Sequence, residues 1–399
     1  MSIGEKIEKK LAAFAACATD GGTLWRPSFS AADDRSCALL ETWLAEENME
    51  IYRDALGNLF GRIPGRESRV VMVGSHRDSV KNGGRYDGAA GLIIAMLAAG
   101  ELYRELGAPQ KTVEVVALQE EEGSQFLSGF LGSKAITGLL TERALDLRDR
   151  QGTRLEAFLS GADFRQAVRD DIDLFLELHI EQGPYLEQEN LPLGVVETIV
   201  GLIIARVTVT GQQNHAGTTP MHLRRDPVRG ATEMITALLQ GAAAISPKVT
   251  MTFGELSAAP GASNVIPQTV CFSVDCRDVD AANLDALNRL IQENLTALET
   301  KGYGAAIEYR CIEQPKELSK DAVDLIAKSA DQLEIPYTRM SSGAGHDAQI
   351  MATRFPAGML FVPSRSGISH SPDEYTSPAN LATGFAVLKQ ALRNAAWQR

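Results

Sequence analysis

Cysteines, basic residues and long apolar runs are all scarce in this sequence. Its five cysteines are odd in number among 399 residues and form no CxxC pair, which favours reduced thiols over a disulfide framework. No run approaches the ~18 apolar residues that a membrane-spanning helix needs. The N-terminus carries Ile3, Ile7, Leu11 and Phe14 at helical spacing and lacks the apolar stretch of a signal peptide. We therefore expect a cytoplasmic protein.

Acidic residues outnumber basic ones, with 51 Asp and Glu against 39 Lys and Arg and a formal net charge of −12. This balance argues against nucleic acids and anionic membranes as partners. It leaves a small anionic substrate open, because local arginines can override the field of the whole chain. The hydrophobic content of 44% is sufficient for a large core, and the length predicts more than one domain.

Near-continuous apolar runs predict buried parallel strands in the first and last parts of the chain. These runs are Val70–Gly74, Thr112–Leu118, Asp173–Ile180 and Met359–Pro363. Helical patterns cover Gly88–Leu106 and Asn380–Trp397. The alternation predicts an α/β fold in which helices cover both faces of a mixed, mostly parallel sheet.

The pattern changes between about Leu202 and Arg310. The predicted elements there are a strand at Ile203–Thr210, a helix at Arg225–Leu239, strands at Lys248–Leu256 and Val270–Arg277, and a helix at Ala282–Lys301. They predict a compact α+β domain inserted at 202–314. Residues 1–201 and 315–399 would then form one discontinuous α/β domain.

Potential metal ligands follow each of the four predicted parallel strands. They are His76, the tract Glu120-Glu121-Glu122, His179 and His370. A single histidine is more often structural, and an acidic tract in isolation is more often solvated. Because open α/β sheets bind ligands beyond the carboxyl ends of their strands, all of these side chains are expected at one edge. The sequence therefore predicts a metal site there.

Two aspartates near His76 fit roles in such a site. Asp78 can accept the second ring N–H of His76 and so fix its tautomer. Asp87, just before a predicted helix, can bridge two divalent ions ~3.5–4 Å apart, although an ordinary helix N-cap explains it equally. Of the adjacent carboxylates, one can bind metal while its neighbour takes a proton from water.

Seven segments together resemble the allantoate amidohydrolase / N-carbamoyl-L-amino acid hydrolase / β-ureidopropionase family. They are Gly74–Ser79, Gly84–Gly88, Glu121–Ser124, Glu177–Gly183, Asn214–Met221, Gly343–Ala348 and Gly367–Pro372. The family consists of two-metal enzymes in the aminoacylase and carboxypeptidase-like peptidase clan. The resemblance runs from about His76 to Thr376 and includes five of the six histidines. His222 is left as a surface residue.

The resemblance implies a role for each metal-site residue. His76, Asp87 and His179 would bind one divalent ion, and Asp87, Glu122 and His370 a second. Zn²⁺, Mn²⁺ and Co²⁺ all suit such ligands. Glu121 would be the general base and Asp78 would support the catalytic centre, whereas Glu120 would be outer-sphere or solvated.

The resemblance also implies a zinc-peptidase-like catalytic domain and a ferredoxin-like inserted domain that serves as a lid and forms a homodimer. His215 would stabilise the oxyanion, from the same chain or from the partner subunit. Substrate contacts would come from Gln182, His215, Asn264, Arg277 and the Gly345 backbone. For Arg277, a surface ion pair with Asp275 or Asp278 is an equal alternative.

The implied reaction is hydrolysis of a ureido or carbamoyl C–N bond by a metal-bridging hydroxide. Glu120–Ser124 looks more like allantoate enzymes, and Phe130–Lys134 looks more like carbamoylases. Leu202 and Ile203 replace the polar or basic residue that the family often has after Gly201, which leaves the substrate open. A two-metal aminoacylase or dipeptidase is an alternative, and a non-catalytic binding homologue is another that the complete ligand set disfavours.

Overall fold

A computed structural model describes residues 1–126, 128–159 and 161–398. The chain forms two compact units: the first comprises Met1–Ile199 and Glu317–Arg399, and the second comprises Val200–Lys316. The second unit thus interrupts the first in sequence. The sequence-based boundaries lie within a few residues of these positions.

The strands alternate with helices along most of the chain. In chain order the strands are β1 Thr19–Asp20, β2 Thr23–Leu24, β3 Glu50–Arg53, β4 Leu59–Ile63, β5 Glu67–His76, β6 Lys111–Leu118, β7 Ile172–Ile180, β8 Gly194–Ile199, β9 Gly201–Thr210, β10 Asn214–His215, β11 Thr250–Thr252, β12 Leu256–Ala259, β13 Val265–Ile266, β14 Thr269–Asp278, β15 Gly304–Glu313, β16 Lys316–Glu317, β17 Thr338–Ser342 and β18 Ala357–Val362. The α-helices are α1 Ile3–Ala16, α2 Ala31–Glu46, α3 Ala89–Leu106, α4 Leu131–Thr137, α5 Leu155–Phe158, α6 Tyr185–Gln188, α7 Pro227–Ile245, α8 Ala281–Thr300, α9 Lys320–Gln332, α10 Asp347–Met351 and α11 Pro378–Leu392. Among the described residues, no helix is both long and apolar enough to cross a bilayer.

The first unit is built on a mixed sheet with the strand order β16-β8-β18-β7-β5-β6-β4-β3, and β17 pairs with β8. The four central strands β18, β7, β5 and β6 are parallel. The pairs β3–β4, β4–β6 and β8–β18 are antiparallel, whereas β17 pairs with β8 in parallel. The central strands are buried because their apolar runs are covered from both sides. A mainly parallel central sheet therefore confirms the expected α/β class.

Side chains of β7 show that helices cover both faces of this sheet. The Leu178 side chain packs against α11 at Gly384, and α11 packs on α3. On the opposite face, the Glu177 carboxylate accepts the N–H of Ala348 in α10 at 2.9 Å. Successive strand residues point to opposite faces, so α10 and α11 lie on different sides.

The second unit has a sheet with the order β11-β14-β9-β15, with β12 also paired to β14. Helices α7 and α8 pack on this sheet and bury its apolar face. Strand β15 is absent from the elements that the sequence pattern predicts. Its alternation is nevertheless present, because Ala305, Ile307 and Tyr309 are half-buried between exposed neighbours. Lys248–Leu256, predicted as one strand, is broken between β11 and β12.

Candidate active site

The ends of three neighbouring parallel strands bring the predicted metal ligands together. His76 is the last residue of β5, and His179 is the penultimate residue of the adjacent β7. The acidic tract follows β6, which pairs with the other side of β5. The side chains of His76 and His179 are buried, with 2% and 1% exposure. Parallel pairing thus brings residues that are distant in sequence together at one edge of the sheet.

Asp87 lies at the centre of the cluster. Its Oδ1 is 2.9 Å from His179 Nε2 and 3.4 Å from His76 Nε2. Its Oδ2 is 3.1 Å from His370 Nε2, which also lies 3.4 Å from Glu122 Oε1. One compact group of possible ligands, His76, Glu121 and Glu122, includes the predicted base. The two predicted ion sites, His76–Asp87–His179 and Asp87–Glu122–His370, likewise each have their ligand atoms within 4.8 Å of one another. Asp87 is common to both ion sites, as a bridging carboxylate must be.

The Asp87 carboxylate does not cap the following helix. Gly88 is the N-cap of α3, with a φ of 63°, and it makes no side-chain cap bond. A Cβ at Gly88 would lie 2.5 Å from the His76 ring, so only glycine fits beside that ligand. The carboxylate of Asp87 therefore contacts the histidines and does not cap the helix.

A backbone oxygen orients each of the two buried histidines that are predicted ligands. His179 Nδ1 lies 2.9 Å from the Ile180 carbonyl oxygen, and His76 Nδ1 lies 3.2 Å from the Asp78 carbonyl oxygen. An N–H donated there makes Nε2 the acceptor atom of each ring, and at His179 a metal would take the place of the Gly88 N–H, which lies 3.2 Å from Nε2. The Asp78 carboxylate, expected as the acceptor, is farther away at 3.6 Å.

Asp78 instead holds the acidic tract. Its carboxylate accepts the N–H of Glu121 at 3.0 Å, the N–H of Glu122 at 3.2 Å and the hydroxyl of Ser124 at 3.0 Å. One buried aspartate therefore fixes the backbone of both the predicted base and the predicted ligand. Asp78 therefore supports the site through the backbone of Glu121 and Glu122, and not through the predicted contact with the His76 ring.

Glu120 is fully buried, which excludes the solvated alternative and leaves the outer-sphere one. Its carboxylate accepts the N–H groups of Gln125 and Phe126, both at 2.7 Å. Its Oε2 also lies 3.0 Å from the Ser124 hydroxyl, whose one proton is shared between Glu120 and Asp78. These bonds close the turn after β6. The turn needs that support because Glu120 has a φ of 55°, a conformation that costs a side-chain-bearing residue of order 1 kcal/mol or more.

Positive φ angles recur at two other residues of the cluster, Gln182 at 58° and His370 at 52°. Strained backbone of this kind persists only where the surrounding contacts over-determine it, and it concentrates at functional sites. The Gln182 amide donates to Asp87 Oδ2 at 3.0 Å, so this predicted substrate contact touches the bridging carboxylate. Gly345 lies half-buried between β17 and α10.

Hydrogen bonds and charge perturb the acids and bases of the site. Burial would raise the pKa of Asp87, but hydrogen bonds from His179, His370 and His76 hold it well below its usual range. Hydrogen bonds to Asp87 and Glu122 raise the pKa of His370 to about 11. The carboxylates thus favour a positive charge beside them. Protons or a metal cation can supply that charge, and the two compete for the site.

Glu121 has a different environment from its neighbour Glu122. Its Oε2 lies 4.0 Å from His76 Nε2, and the residue is buried. Burial raises the pKa of its carboxyl well above the usual range, against the lowering effect of His76, and Glu122 raises it further. A raised pKa suits a group that takes and returns a proton near neutral pH.

The donor set fits divalent metal ions. Imidazole and carboxylate ligands together suit Zn²⁺, Mn²⁺ or Co²⁺. Within the described residues, the buried Glu122 Oε1 accepts no hydrogen bond of normal geometry, and His370 Nε2 approaches it only to 3.4 Å. A buried carboxylate oxygen without a partner is costly, and a cation between Glu122 and His370 would satisfy it.

The second unit contains three of the predicted site residues. His215 and Asn264 are neighbours there, because β10 pairs with β13 and the Ala216 N–H donates to the Asn264 carbonyl at 3.0 Å. His215 Nδ1 accepts the N–H groups of Gly217 and Thr218 at 3.0 and 3.2 Å. The proton of the neutral ring is therefore on the exposed Nε2, where it can donate.

Arg277 also lies in the second unit, on β14, and it forms the ion pair foreseen as its alternative role. Its Nε and Nη2 bind the Asp275 carboxylate at 2.9 and 2.8 Å. The side chain is 30% exposed. The left-over His222 is exposed in the same unit, in the short turn Met221–Leu223.

Sequence reasoning misses two groups that support the site. Glu374 binds the backbone of Tyr86 and Asp87, and the buried pair Arg77–Asp33 lies beneath the end of β5. Asp33 resembles an ordinary acidic residue in the first turn of a helix. Glu374 lies just beyond the Gly367–Pro372 segment, and that proximity to a ligand motif is the only signal the sequence offers.

Comparisons with known proteins agree with this arrangement. The model of peptidase family M20/M25/M40 matches residues 72–394. Allantoate amidohydrolase of Escherichia coli is 39% identical over 365 residues, which cover 89% of this chain and 89% of that protein. N-carbamoyl-L-amino-acid amidohydrolase of Paenarthrobacter aurescens is 36% identical over 400 residues, which cover 98% and 97%. The crystal structure of AtUAH in complex with glyoxylate superimposes with a TM-score of 0.90 at 28% identity, covering 99% of this chain and 98% of that one.

The chain belongs to peptidase family M20/M25/M40, whose members are metal-dependent. Within that family it belongs with the allantoate amidohydrolases and N-carbamoyl-L-amino acid hydrolases, enzymes that act on C–N bonds other than peptide bonds.

Proposed function

We propose that this protein is a two-metal amidohydrolase that cleaves a C–N bond in a linear ureido or carbamoyl substrate, either allantoate or an N-carbamoyl-L-amino acid. The observation that carries the proposal is the Asp87 carboxylate, whose two oxygens face different histidines. Relatives at 36–40% identity with both of these activities support the substrate class.

Two divalent ions, Zn²⁺, Mn²⁺ or Co²⁺, would be held by His76, Asp87 and His179 and by Asp87, Glu122 and His370. When bound, they supply Lewis acidity to the substrate carbonyl and lower the pKa of water. The roles of the chain itself follow from the positions of its acids and donors.

Glu121 accepts a proton from water as the water oxygen forms a bond to the carbonyl carbon. The exposed Nε2–H of His215, from this chain or from the partner of a homodimer, donates to the developing oxyanion. Glu121 then gives its proton to the leaving nitrogen as the C–N bond breaks. For a terminal carbamoyl group, the fragment released decomposes to ammonia and carbon dioxide.

A substrate panel tests this function directly. With Mn²⁺ supplied, we expect ammonia release from allantoate or from N-carbamoyl-L-amino acids, and at most weak cleavage of N-acetyl-amino acids or dipeptides. Rates are compared as kcat/KM for each substrate. Preferential cleavage of the acylated amino acids or dipeptides would instead support the aminoacylase or dipeptidase alternative.

We further propose a homodimer formed through the second unit. Strand β15 lies at an edge of its sheet, spans ten residues and exposes alternate side chains. A long edge strand of this kind readily pairs with another chain.

The cysteines are free thiols, which supports the cytoplasm as the location of the protein.

Arg277 is the proposed receptor for the substrate carboxylate. Its planar guanidinium can bind a carboxylate through two parallel hydrogen bonds that lysine cannot reproduce. We expect Arg277→Lys and Arg277→Ala to lower kcat/KM by similar factors, about 10–100-fold, since hydrogen bonds to charged groups contribute about 1.5–3 kcal/mol. Steady-state kinetics on a carboxylate substrate and on its amide make the comparison.

Arg206→Lys is the matched control, because Arg206 lies on β9 of the same sheet and pairs with Glu255 at 2.7 Å. That variant should keep wild-type kinetics. The amide substrate should be poor for the wild type and little affected by the change at Arg277. Wild-type kcat/KM in Arg277→Ala, with a stability loss of at most about 1 kcal/mol, would reduce Arg277 to a surface ion pair with Asp275.

A further inference from the structure

Glu374 lies between the two loops that carry Asp87 and His370. Its Oε1 accepts the backbone N–H of Tyr86 at 2.9 Å and that of Asp87 at 3.1 Å. Its Oε2 accepts the hydroxyl of Ser369 at 2.8 Å. One side chain therefore fixes the backbone on which the bridging carboxylate stands and the residue that precedes His370.

Ser369 extends this contact to the bridging carboxylate itself. Its Oγ lies 3.3 Å from Asp87 Oδ2 and 3.3 Å from the Gln182 amide nitrogen. The hydroxyl has a single proton, and the shorter distance assigns it to Glu374. Glu374 thus sets the direction of the group that lies beside Asp87 Oδ2.

The loop before Asp87 is shaped around the Glu374 side chain. A Cβ on Gly84 would lie 2.1 Å from Glu374 Oε1 and 2.2 Å from its Cδ. Gly84 does not have a positive φ, so its conformation is open to other residues and steric room alone requires glycine there. The Gly84–Gly88 segment therefore accommodates this carboxylate as well as the histidine beside Gly88.

Glu374 is only 5% exposed, and among the described residues no lysine or arginine nitrogen lies within 4.0 Å of its carboxylate. Backbone amides and one hydroxyl are its partners. A buried carboxylate without a cationic partner is expensive to retain for stability alone. Glu374 binds the backbone N–H of Asp87, a predicted metal ligand. Positive charge at that adjacent metal centre would offset the cost.

We propose that Glu374 is a positioning residue of the metal centre, which locks the Asp87 and His370 loops together so that one carboxylate can serve both ligand groups. This inference rests on the proposed two-metal function. It assigns Glu374 no contact with substrate and no proton transfer. Its effect is on the affinity and geometry of the second ion, the one held by Asp87, Glu122 and His370.

The test compares metal binding in the wild type and in Glu374→Ala, by equilibrium dialysis against graded Mn²⁺. We expect the affinity for the second ion to fall by about 10–100-fold, the usual effect of losing a residue that orients metal ligands. Glu374→Gln keeps an oxygen for the two backbone N–H groups and should recover part of the loss. In the Co²⁺-loaded proteins, the visible absorption spectrum should change in Glu374→Ala and return toward wild type in Glu374→Gln.

Gly84→Ala and Ser369→Ala keep the inference testable if Glu374→Ala fails to fold. The first displaces the Glu374 side chain, and the second removes its hydroxyl partner together with the oxygen that lies 3.3 Å from Asp87 Oδ2. Both should weaken the second ion while leaving the first in place. Glu114→Gln is the control, because Glu114 is a buried carboxylate with three partners, Tyr52, Arg62 and Arg169, in the same sheet. It should lower the unfolding temperature without changing metal affinity.

The outcomes separate the inference from the function on which it rests. A wild-type protein that binds no ion tightly would contradict the two-metal proposal. A wild type with two tight ions, and equal affinities in Glu374→Ala or in both substitute variants, would overturn the role of Glu374 alone.

Discussion

Replacing Glu121 with glutamine is expected to lower kcat by about 10²–10⁴-fold without removing metal, the usual contribution of general acid–base catalysis. Glutamine has the size of glutamate but cannot accept the proton of water. The Glu121 N–H bonds to Asp78 and its carbonyl accepts the Phe130 N–H, and both contacts survive the substitution. Steady-state kinetics and elemental analysis on the same preparation measure the two quantities together.

Glu122→Gln is the matched control, since Asp78 holds its backbone in the same way. Glu122 Oε1 faces His370 Nε2 at 3.4 Å, so this variant should lose one ion. The roles would be reversed if Glu121→Gln emptied a site and Glu122→Gln kept both ions. Near-normal turnover in Glu121→Gln would require a different base.

Removing divalent ions should abolish turnover and also lower stability. Ligands that bind only the folded state stabilise it, by about 4 kcal/mol at a concentration 1,000 times the dissociation constant. Without a cation, the crowded carboxyl groups of Asp87, Glu121 and Glu122 can be neutralised only by protons. We expect exhaustive EDTA treatment to lower the unfolding temperature and eliminate activity, and Mn²⁺, Co²⁺ or Zn²⁺ to restore both.

Asp87→Ala is the control for this experiment, because it removes the residue common to both ligand groups. Its unfolding temperature should no longer respond to EDTA. Full wild-type activity after EDTA treatment, with no metal by elemental analysis, would end the metal-dependent interpretation.

Local patterns predict the four central strands β18, β7, β5 and β6 of the sheet, but not β3, β4, β8, β16 and β17 at its sides. The apolar runs leading to His76 and His179 identify buried strands, and parallel pairing brings their ends together regardless of their separation in sequence. The same reasoning does not predict the burial of Glu120. An acidic tract normally lies in water, and only the turn closed by Gln125 and Phe126 shows why this one is buried.

Contacts between distant segments are also invisible to pattern reasoning. Glu374 is separated from Asp87 by 287 positions, and no periodicity connects them. Asp78 shows a subtler limit: its proximity to His76 suggests a side-chain contact, but a backbone oxygen takes that place and frees the carboxylate for Glu121. Substrate choice depends on such contacts, which explains why Leu202 and Arg277 alone leave it open.

The interruption of the first unit has a consequence for the order in which the protein is made. His76, Asp87, Glu122 and His179 leave the ribosome before the second unit, whereas His370 and its support Glu374 leave after it. Strand β18 must then insert between β7 and β8, which are already synthesised. Since domains generally fold as units during synthesis, the first unit can complete its sheet, and with it the second ligand group, only after the whole second unit has been made.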